Sequence, residues 1–276
     1  MDKTSLGDRM KNNYENISRY YLTRRMPVII RVDMKAGHTF TKGLNKPFDD
    51  VFVKSMQDTM RYLCENIQGC VLGYTQSDEI SLVLTDYAEL TTDAWFGNNL
   101  QKMCSVSASM ATLTFNRAFN RNYLSRLARK IDTLDFTKET TEYIEVLEKA
   151  KDKGAMFDSR VFTIPKEEVC NYFIWRQQDA TRNSILSVGQ AYFSTKELLG
   201  KSCNNIQDML MTQKGINWND FATTLKRGSC CIKLDDSITK YDGVGSICGF
   251  IQRSRWDIDN KTPIFSKDRE YIERLV

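Results

Sequence analysis

A buried strand that ends in a carboxylate constrains this chain more than any other feature. Residues Val28 to Val32 are apolar except for Arg31, and Asp33 follows them directly. A nearly continuous apolar run of this length is typical of a strand that is buried on both faces. Helical spacing of apolar residues returns between Phe52 and Ile67. The chain is therefore predicted to build a sheet that is covered by other elements.

A second β pattern carries two more carboxylates. The apolar runs CVLGY and DEISLVL flank a short polar stretch, which predicts a hairpin with Ser77, Asp78 and Glu79 at or just past its turn. If this turn lies beside Asp33, two carboxylates meet where two strands end. Mg²⁺ prefers one or two protein carboxylates and completes its shell with phosphate oxygens and water. Acidic residues at strand ends are also commonly just solvated, so both interpretations stay open.

The rest of the chain predicts alternating helices and strands. Long helices are expected from 102 to 127 and from 166 to about 193. The charged segment 132–153 is expected to form a solvated helix or an excursion from the fold. The segments SRVFTIP and SCCIKL predict further strands. We therefore predict one α+β unit with a C-terminal helical extension. Trp95, Trp175 and Trp218 are expected to be packing residues. Lys102 lies near the start of a predicted helix and, taken by itself, is expected to be a surface lysine.

Composition narrows the chemistry. Hydrophobic residues make up 41% and charged residues 27% of the 276 residues, as in folded globular proteins. No apolar run approaches the roughly 18 residues that span a bilayer, and the first residues have no secretory pattern, so we expect a cytoplasmic protein without a membrane partner. The single histidine and the eight cysteines without a CxxC pair argue against zinc sites. The net charge of +4 permits a nucleic-acid partner.

The string PVIIRVDMKAGHTFTKGLNKPFDD, followed by GYTQSDEISLVL, resembles the tRNA(His) guanylyltransferase family. The chain is most similar to the family's bacterial and archaeal guanylyltransferase-like branch of 3′-to-5′ RNA polymerases. Further matches are FDSRVFTIP, YFIWRQQDATRNS and GINWND, in the family's order. The resemblance implies a polymerase- or cyclase-like palm, an antiparallel sheet flanked by helices, in a catalytic domain over residues 1–234. Residues 235–276 form a tail without an assigned role.

The resemblance also implies site residues. Two Mg²⁺ ions would be held by Asp33, the carbonyl of Met34 and Asp78, and ATP, GTP or other nucleoside triphosphates would be substrates. The catalytic residues it implies are Asp33, Asp78, Glu79 and Lys102, with Glu79 more plausible as a supporting residue than as a ligand. The nucleotide-binding residues it implies are Asp33, Met34, Lys35, Ala36, Gly37, His38, Lys46, Ser77, Asp78 and Asn183.

One departure from the family pattern bears on the substrate. The HINN motif of enzymes that act on histidine tRNA is replaced here by Thr181, Arg182, Asn183 and Ser184. This favours template-directed addition to the 5′ end and acceptor stem of truncated tRNA, after ATP activation or from a 5′-triphosphate. The alternatives are addition of one extra guanosine to histidine tRNA, a nucleotide cyclase or oligonucleotide synthase, and a non-catalytic RNA-binding relative. The family resemblance further implies a homotetramer.

Overall fold

An antiparallel sheet organises the protein. The structure is a computed structural model that describes residues 5–241 and 247–276, with side chains for residues 5–234 and 254–276. Its strands are β1 (Val28–Met34), β2 (Cys70–Gln76), β3 (Glu79–Leu84), β4 (Phe157–Thr163), β5 (Ser229–Tyr241) and β6 (Ile247–Asp259). In the described residues they form one six-stranded sheet in the order β4-β1-β3-β2-β5-β6, with every neighbouring pair antiparallel. The predicted antiparallel sheet and the turn at Ser77 and Asp78 are confirmed.

Helices cover both faces of this sheet. They are α1 (Leu6–Met10), α2 (Gly37–Phe40), α3 (Asp50–Asn66), α4 (Leu100–Asp132), α5 (Lys138–Lys153), α6 (Lys166–Tyr192), α7 (Thr195–Leu198), α8 (Cys203–Lys214), α9 (Thr223–Arg227) and α10 (Glu270–Glu273). A π-helical turn spans Lys11–Glu15, and 3₁₀ turns span Trp95–Asn98 and Trp218–Asp220. Among the described helices, none has the length and apolar character needed to cross a membrane.

The alternation of side chains along β1 divides the core in two. Val28, Ile30 and Val32 point towards α3 and α4, where they pack with Met56 and Phe115. The residues between them point to the opposite face, which α6 covers. Because side chains alternate with a period of two along a strand, Asp33 shares this second face with Arg31. Because Asp33 directly follows Val32, its carboxylate points to the face that α6 covers.

Helix α5 corrects one prediction. The charged segment was expected to form a solvated helix, but Tyr143, Ile144, Leu147 and Ala150 are buried in the first core. Their spacing forms one stripe on the helix, and the charged residues occupy the rest of its surface. The stripe contains only three large apolar residues, so the charge of the segment masked it.

The C-terminal part of the chain is a mixture of helix and strand. Helices α7, α8 and α9 match the predicted helical extension, but β5 and β6 then return the chain to the sheet. Strand β5 runs across the predicted domain boundary at residue 234. After β6, Phe265 and Ile272 are buried beside α6. The described cysteine side chains are free thiols, and that of Cys248 lies outside the described residues.

Candidate active site

Three carboxylates form a row across one end of the sheet. Asp33 on β1 is in register with Glu79 on β3 and with Asp158 on β4. Residues in register on neighbouring antiparallel strands point to the same face, so all three side chains lie on the face covered by α6. Asp78 precedes Glu79 in the hairpin turn, and its carbonyl accepts a hydrogen bond of 3.1 Å from the backbone N–H of Met34. The structure therefore brings the predicted Asp33, Met34, Asp78 and Glu79 together.

The charge at Asp33 is not balanced by the protein. Burial raises the pKa of Asp33, and the nearby carboxylates of Asp78 and Asp158 raise it further. Arg31 and Arg160 act in the opposite direction but do not cancel these effects. The end of the sheet is therefore a site where a cation would relieve repulsion between carboxylates.

Glu79 differs from its neighbours because arginines neutralise it. Arg176 of α6 donates a hydrogen bond of 2.9 Å from Nη1 to Glu79 Oε2, and Arg31 Nε lies 3.7 Å from the same oxygen. Burial raises the pKa of Glu79, and these two arginines oppose that shift. The carboxylate is thus committed to a buried ion pair that joins α6 to the sheet. This arrangement fits a supporting residue better than a metal ligand.

The loop after β1 fits closely around Asp78. Ala36 has a left-handed backbone conformation with φ of 55°, and α2 begins at the next residue, Gly37. A Cβ atom at Gly37 would lie 2.8 Å from Asp78 Cγ and still closer to Oδ2. Only glycine leaves room for the Asp78 carboxylate in this position.

A cavity of about 380 Å³ adjoins the β2–β3 turn through Ser77, the residue before Asp78; none of the four carboxylates is among its lining residues. Its walls are the loop of residues 41–49, one side of α3, the end of β2, and parts of α6 and α9. Four of the predicted nucleotide-binding residues line it: His38, Lys46, Ser77 and Asn183. Its volume lies in the usual range of small-molecule sites. The walls from α9, around Thr224 and Lys226, were missed by sequence analysis because they are about 150–180 residues from the rest of the cavity lining in β2 and the loop.

Helix α5 supports the loop that forms this cavity. Tyr143 donates a hydrogen bond of 2.8 Å to Asp49, the buried carboxylate that caps the start of α3. Lys153 donates a hydrogen bond of 3.4 Å from Nζ to the carbonyl of Thr39. A Cβ atom at Gly43 would lie only 3.3 Å from Val146. These contacts support both ends and the middle of the loop of residues 41–49, which carries Lys42 and Lys46. No local pattern in the sequence predicts these contacts.

The structure separates Lys102 from the other predicted site residues. Lys102 lies in the first turn of α4, and α4 then runs along β4 so that Ser107 bonds Ser159 and Thr112 bonds the N–H of Phe157. Ten residues of helix, about 15 Å at 1.5 Å per residue, therefore lie between Lys102 and the level of Phe157, where β1 also ends. A lysine side chain is too short to span this distance. Within one chain, Lys102 does not reach Asp33, and its ammonium group lies over the ring of Phe96, 5.8 Å from its centre.

The remaining predicted residues lie at the rim of the site. Lys35 and Ala36 are exposed in the turn between β1 and α2, and the N–H of Lys35 donates to the carbonyl of Met156. His38 is exposed, and its Nε2 lies 3.1 Å from the hydroxyl of Thr39. These three residues are exposed beside the β1 end of the carboxylate row.

Comparison with known proteins agrees with this geometry. Residues 7–165 match the model of the family described as tRNAHis guanylyltransferase. The chain belongs to this family. A solved bacterial tRNA(His) guanylyltransferase-like protein in complex with ATP is 46% identical, with a TM-score of 0.78 over 99% of both chains. A GTP complex of such a protein is 42% identical, with a TM-score of 0.72 over 99% of both chains. The tRNA(His) guanylyltransferase of Debaryomyces hansenii is 23% identical over 82% of both chains. Family membership makes the chain a nucleotidyltransferase, and the predicted family and fold are confirmed.

Proposed function

We propose that this protein adds nucleotides in the 3′-to-5′ direction to the 5′ end of truncated tRNA, guided by the opposite strand of the acceptor stem. The observation that best supports this is the row of carboxylates beside a nucleotide-sized cavity. The support is stronger because a protein that is 46% identical over the full length was solved with ATP. The residues that we assign to the reaction are Asp33 and Asp78, with Met34 contributing its carbonyl.

Two Mg²⁺ ions fit this donor set. Carboxylate and carbonyl oxygens are the ligands that Mg²⁺ prefers. Burial, and then the charges of Asp78 and Asp158, raise the pKa of Asp33, and a bound cation would offset both effects. Among the described residues, no group of three or more His, Cys, Asp or Glu side chains is placed to hold a metal ion. Phosphate oxygens and water would therefore have to supply most of the shell, as is usual for Mg²⁺. When bound, the ions would lower the pKa of the attacking hydroxyl and neutralise charge on the leaving group.

The cavity is the place that we assign to the incoming nucleoside triphosphate. Lys42 and Lys46 lie in its wall and supply positive charge to the phosphates, while Ser77 and Asn183 offer hydrogen bonds. Helix α5 holds the loop that carries both lysines. We propose that this loop and α6 orient the nucleotide so that its 3′-hydroxyl points towards Asp33.

The bond changes are those of nucleotidyl transfer. A 5′-monophosphate end first attacks the α-phosphate of ATP, which joins AMP to the RNA and releases pyrophosphate, or a 5′-triphosphate end is used directly. The 3′-hydroxyl of the incoming nucleotide then attacks the 5′ phosphate of the RNA, and AMP or pyrophosphate leaves. No histidine is assigned as a base, and Asp33 and Asp78 would hold the ions beside the attacking hydroxyl.

A second candidate is addition of a single guanosine to histidine tRNA, since the curated relatives carry the name tRNA(His) guanylyltransferase. The replacement of HINN by Thr181 to Ser184 favours repair of truncated tRNA instead. The two functions make different products from different substrates.

The test is nucleotide incorporation with Mg²⁺ and labelled nucleoside triphosphates. Four 5′-truncated tRNAs that present A, C, G or U opposite the missing nucleotide are compared with full-length histidine tRNA, and Asp33→Asn protein is the inactive control. Incorporation of the complementary nucleotide in each repair case supports the proposal. Guanosine addition confined to histidine tRNA overturns it in favour of the second candidate. RNA binding without incorporation identifies a non-catalytic relative, and a cyclic product formed without RNA identifies a cyclase. Light scattering after gel filtration checks the predicted homotetramer.

A further inference from the structure

A half-exposed tryptophan is held rigidly on α6. Trp175 was expected to be a packing residue, but 51% of it is exposed to solvent. The guanidinium carbon of Arg176 lies 3.5 Å from the centre of its ring, and the ring of Tyr172 meets it at 5.9 Å and 68°. Arg176 is itself fixed by its bond to Glu79. The indole ring is thus oriented by the protein on one side and open on another.

Trp175 lies on the side of α6 that is nearer β4. Phe173 packs on Tyr74 of β2, and Gln177 bonds Pro263 and Phe265, so these residues define one side of the helix. Trp175 lies on the other side, one turn after Tyr172, which contacts Phe162 of β4.

Charged residues of β4 lie next to this side of α6. Phe162, Arg160 and Asp158 lie on the same face of β4, and Asp158 is in register with Asp33 on β1. Arg160 is 54% exposed and lies 3.7 Å from Asp158, a solvent-exposed ion pair that contributes little energy and leaves the guanidinium available. An open aromatic ring and an available arginine therefore border the carboxylate row.

An exposed aromatic ring beside an arginine fits the RNA substrate better than the incoming nucleoside triphosphate. Aromatic rings that stack bases, with arginines that contact phosphates, are the usual elements of single-stranded nucleic-acid binding. In the described part of the chain, Trp175 is not among the residues that line the cavity assigned to the incoming nucleotide. Of the two reactants that the transfer step joins at the carboxylates, the other one is the 5′ end of the RNA.

We propose that Trp175 is the stacking platform for a nucleobase at the 5′ end of the RNA substrate, and that Arg160 contacts the adjoining phosphate. The proposal rests on the proposed function, because it assumes that an RNA end is brought to Asp33. It adds the surface on which that end docks. The platform is formed in advance, since Arg176 and Tyr172 fix the ring before RNA arrives.

The experiment measures binding of a 5′-truncated tRNA at one fixed salt concentration, together with the KM values for RNA and for the nucleoside triphosphate. Trp175→Ala is expected to weaken RNA binding about 10- to 100-fold, the usual effect of removing one stacked base contact. Trp175→Phe keeps an aromatic face and is expected to restore most of the affinity. Trp175→Leu keeps apolar volume without an aromatic face and should bind as poorly as the alanine variant. The KM for the nucleoside triphosphate should stay within about twofold of the wild type.

Tyr192→Ala is the matched control, because Tyr192 is a 42% exposed aromatic residue at the C-terminal end of the same helix. It should bind RNA like the wild type, and thermal unfolding should show all variants folded. Wild-type affinity in Trp175→Leu overturns the platform while leaving the proposed function intact. A raised KM for the nucleotide with unchanged RNA binding also overturns it, by assigning the ring to the other substrate. Absence of RNA binding by the wild-type protein overturns both proposals.

Discussion

Replacing Asp33 by asparagine should stabilise the protein while abolishing nucleotide addition. The pKa of Asp33 is raised, first by burial and then by Asp78 and Asp158. The folded state therefore holds the proton more tightly than the unfolded chain does. Stability falls as the pH rises from the ordinary aspartate pKa through the raised one, and the deficit persists at neutral pH. Asparagine keeps the shape of the side chain and removes the repelled charge.

The size of the effect follows from the spacing of the strands. Cross-strand neighbours lie about 5 Å apart, where two like charges repel by about 1–3 kcal/mol at an effective dielectric constant between 80 and 20. Asp33 is only partly buried, and Arg31 and Arg160 offset part of the repulsion, so a net gain of about 1 kcal/mol is expected. For a chain of this size, that free energy raises Tm by about 2–4 °C.

The assay is thermal unfolding at pH 7 with EDTA and again with Mg²⁺, beside the incorporation assay. Wild-type Tm should rise when Mg²⁺ replaces EDTA, because a bound cation removes the same repulsion, and the Asp33→Asn variant should respond much less. Asp208→Asn is the control, since Asp208 is exposed on α8, away from the site; it should match the wild type in both conditions. A variant that loses several degrees in EDTA, responds fully to Mg²⁺ or keeps its activity would refute the reasoning.

Three further changes test the surroundings of the site. Gly37→Ala forces the Asp78 carboxylate aside and should reduce incorporation about 100-fold with little change in Tm; normal activity would show that the carboxylate position does not matter. Tyr143→Phe loosens the start of α3 and should raise the KM for the nucleoside triphosphate more than it lowers kcat, as initial rates at varied nucleotide would show. Arg176→Met leaves the buried Glu79 without its hydrogen-bonded partner, with only Arg31 3.7 Å away, and should destabilise the fold by about 3–5 kcal/mol in denaturant unfolding. Adding Glu79→Gln to it should recover part of that loss.

The row of carboxylates could be predicted in part from the sequence, because local patterns are sufficient to define β1 and the β2–β3 hairpin. The apolar run before Asp33 and the alternation after Asp78 define strands, and a hairpin turn defines its own register. No local pattern predicts how a helix runs past a strand. Lys102 shows the consequence, because its place in the family motif grouped it with the carboxylates although α4 begins near the opposite end of the sheet. Resemblance to a motif indicates the type of residue at a site, whereas the distance between two motifs depends on the packing of elements.

Helix α6 shows most clearly what packing adds to the sequence. Its motif residues fall within ten positions of one another, yet the structure gives each side of the helix a different neighbour. Arg176 faces the sheet and neutralises Glu79, Asn183 lines the cavity, and Trp175 faces solvent on the side nearer β4. Two substrates have to meet at Asp33 without occupying the same space. A helix that passes over the carboxylates with the cavity on one side and the open indole on another separates the two approaches, so the proposed nucleotide and RNA positions converge at the carboxylates from different directions.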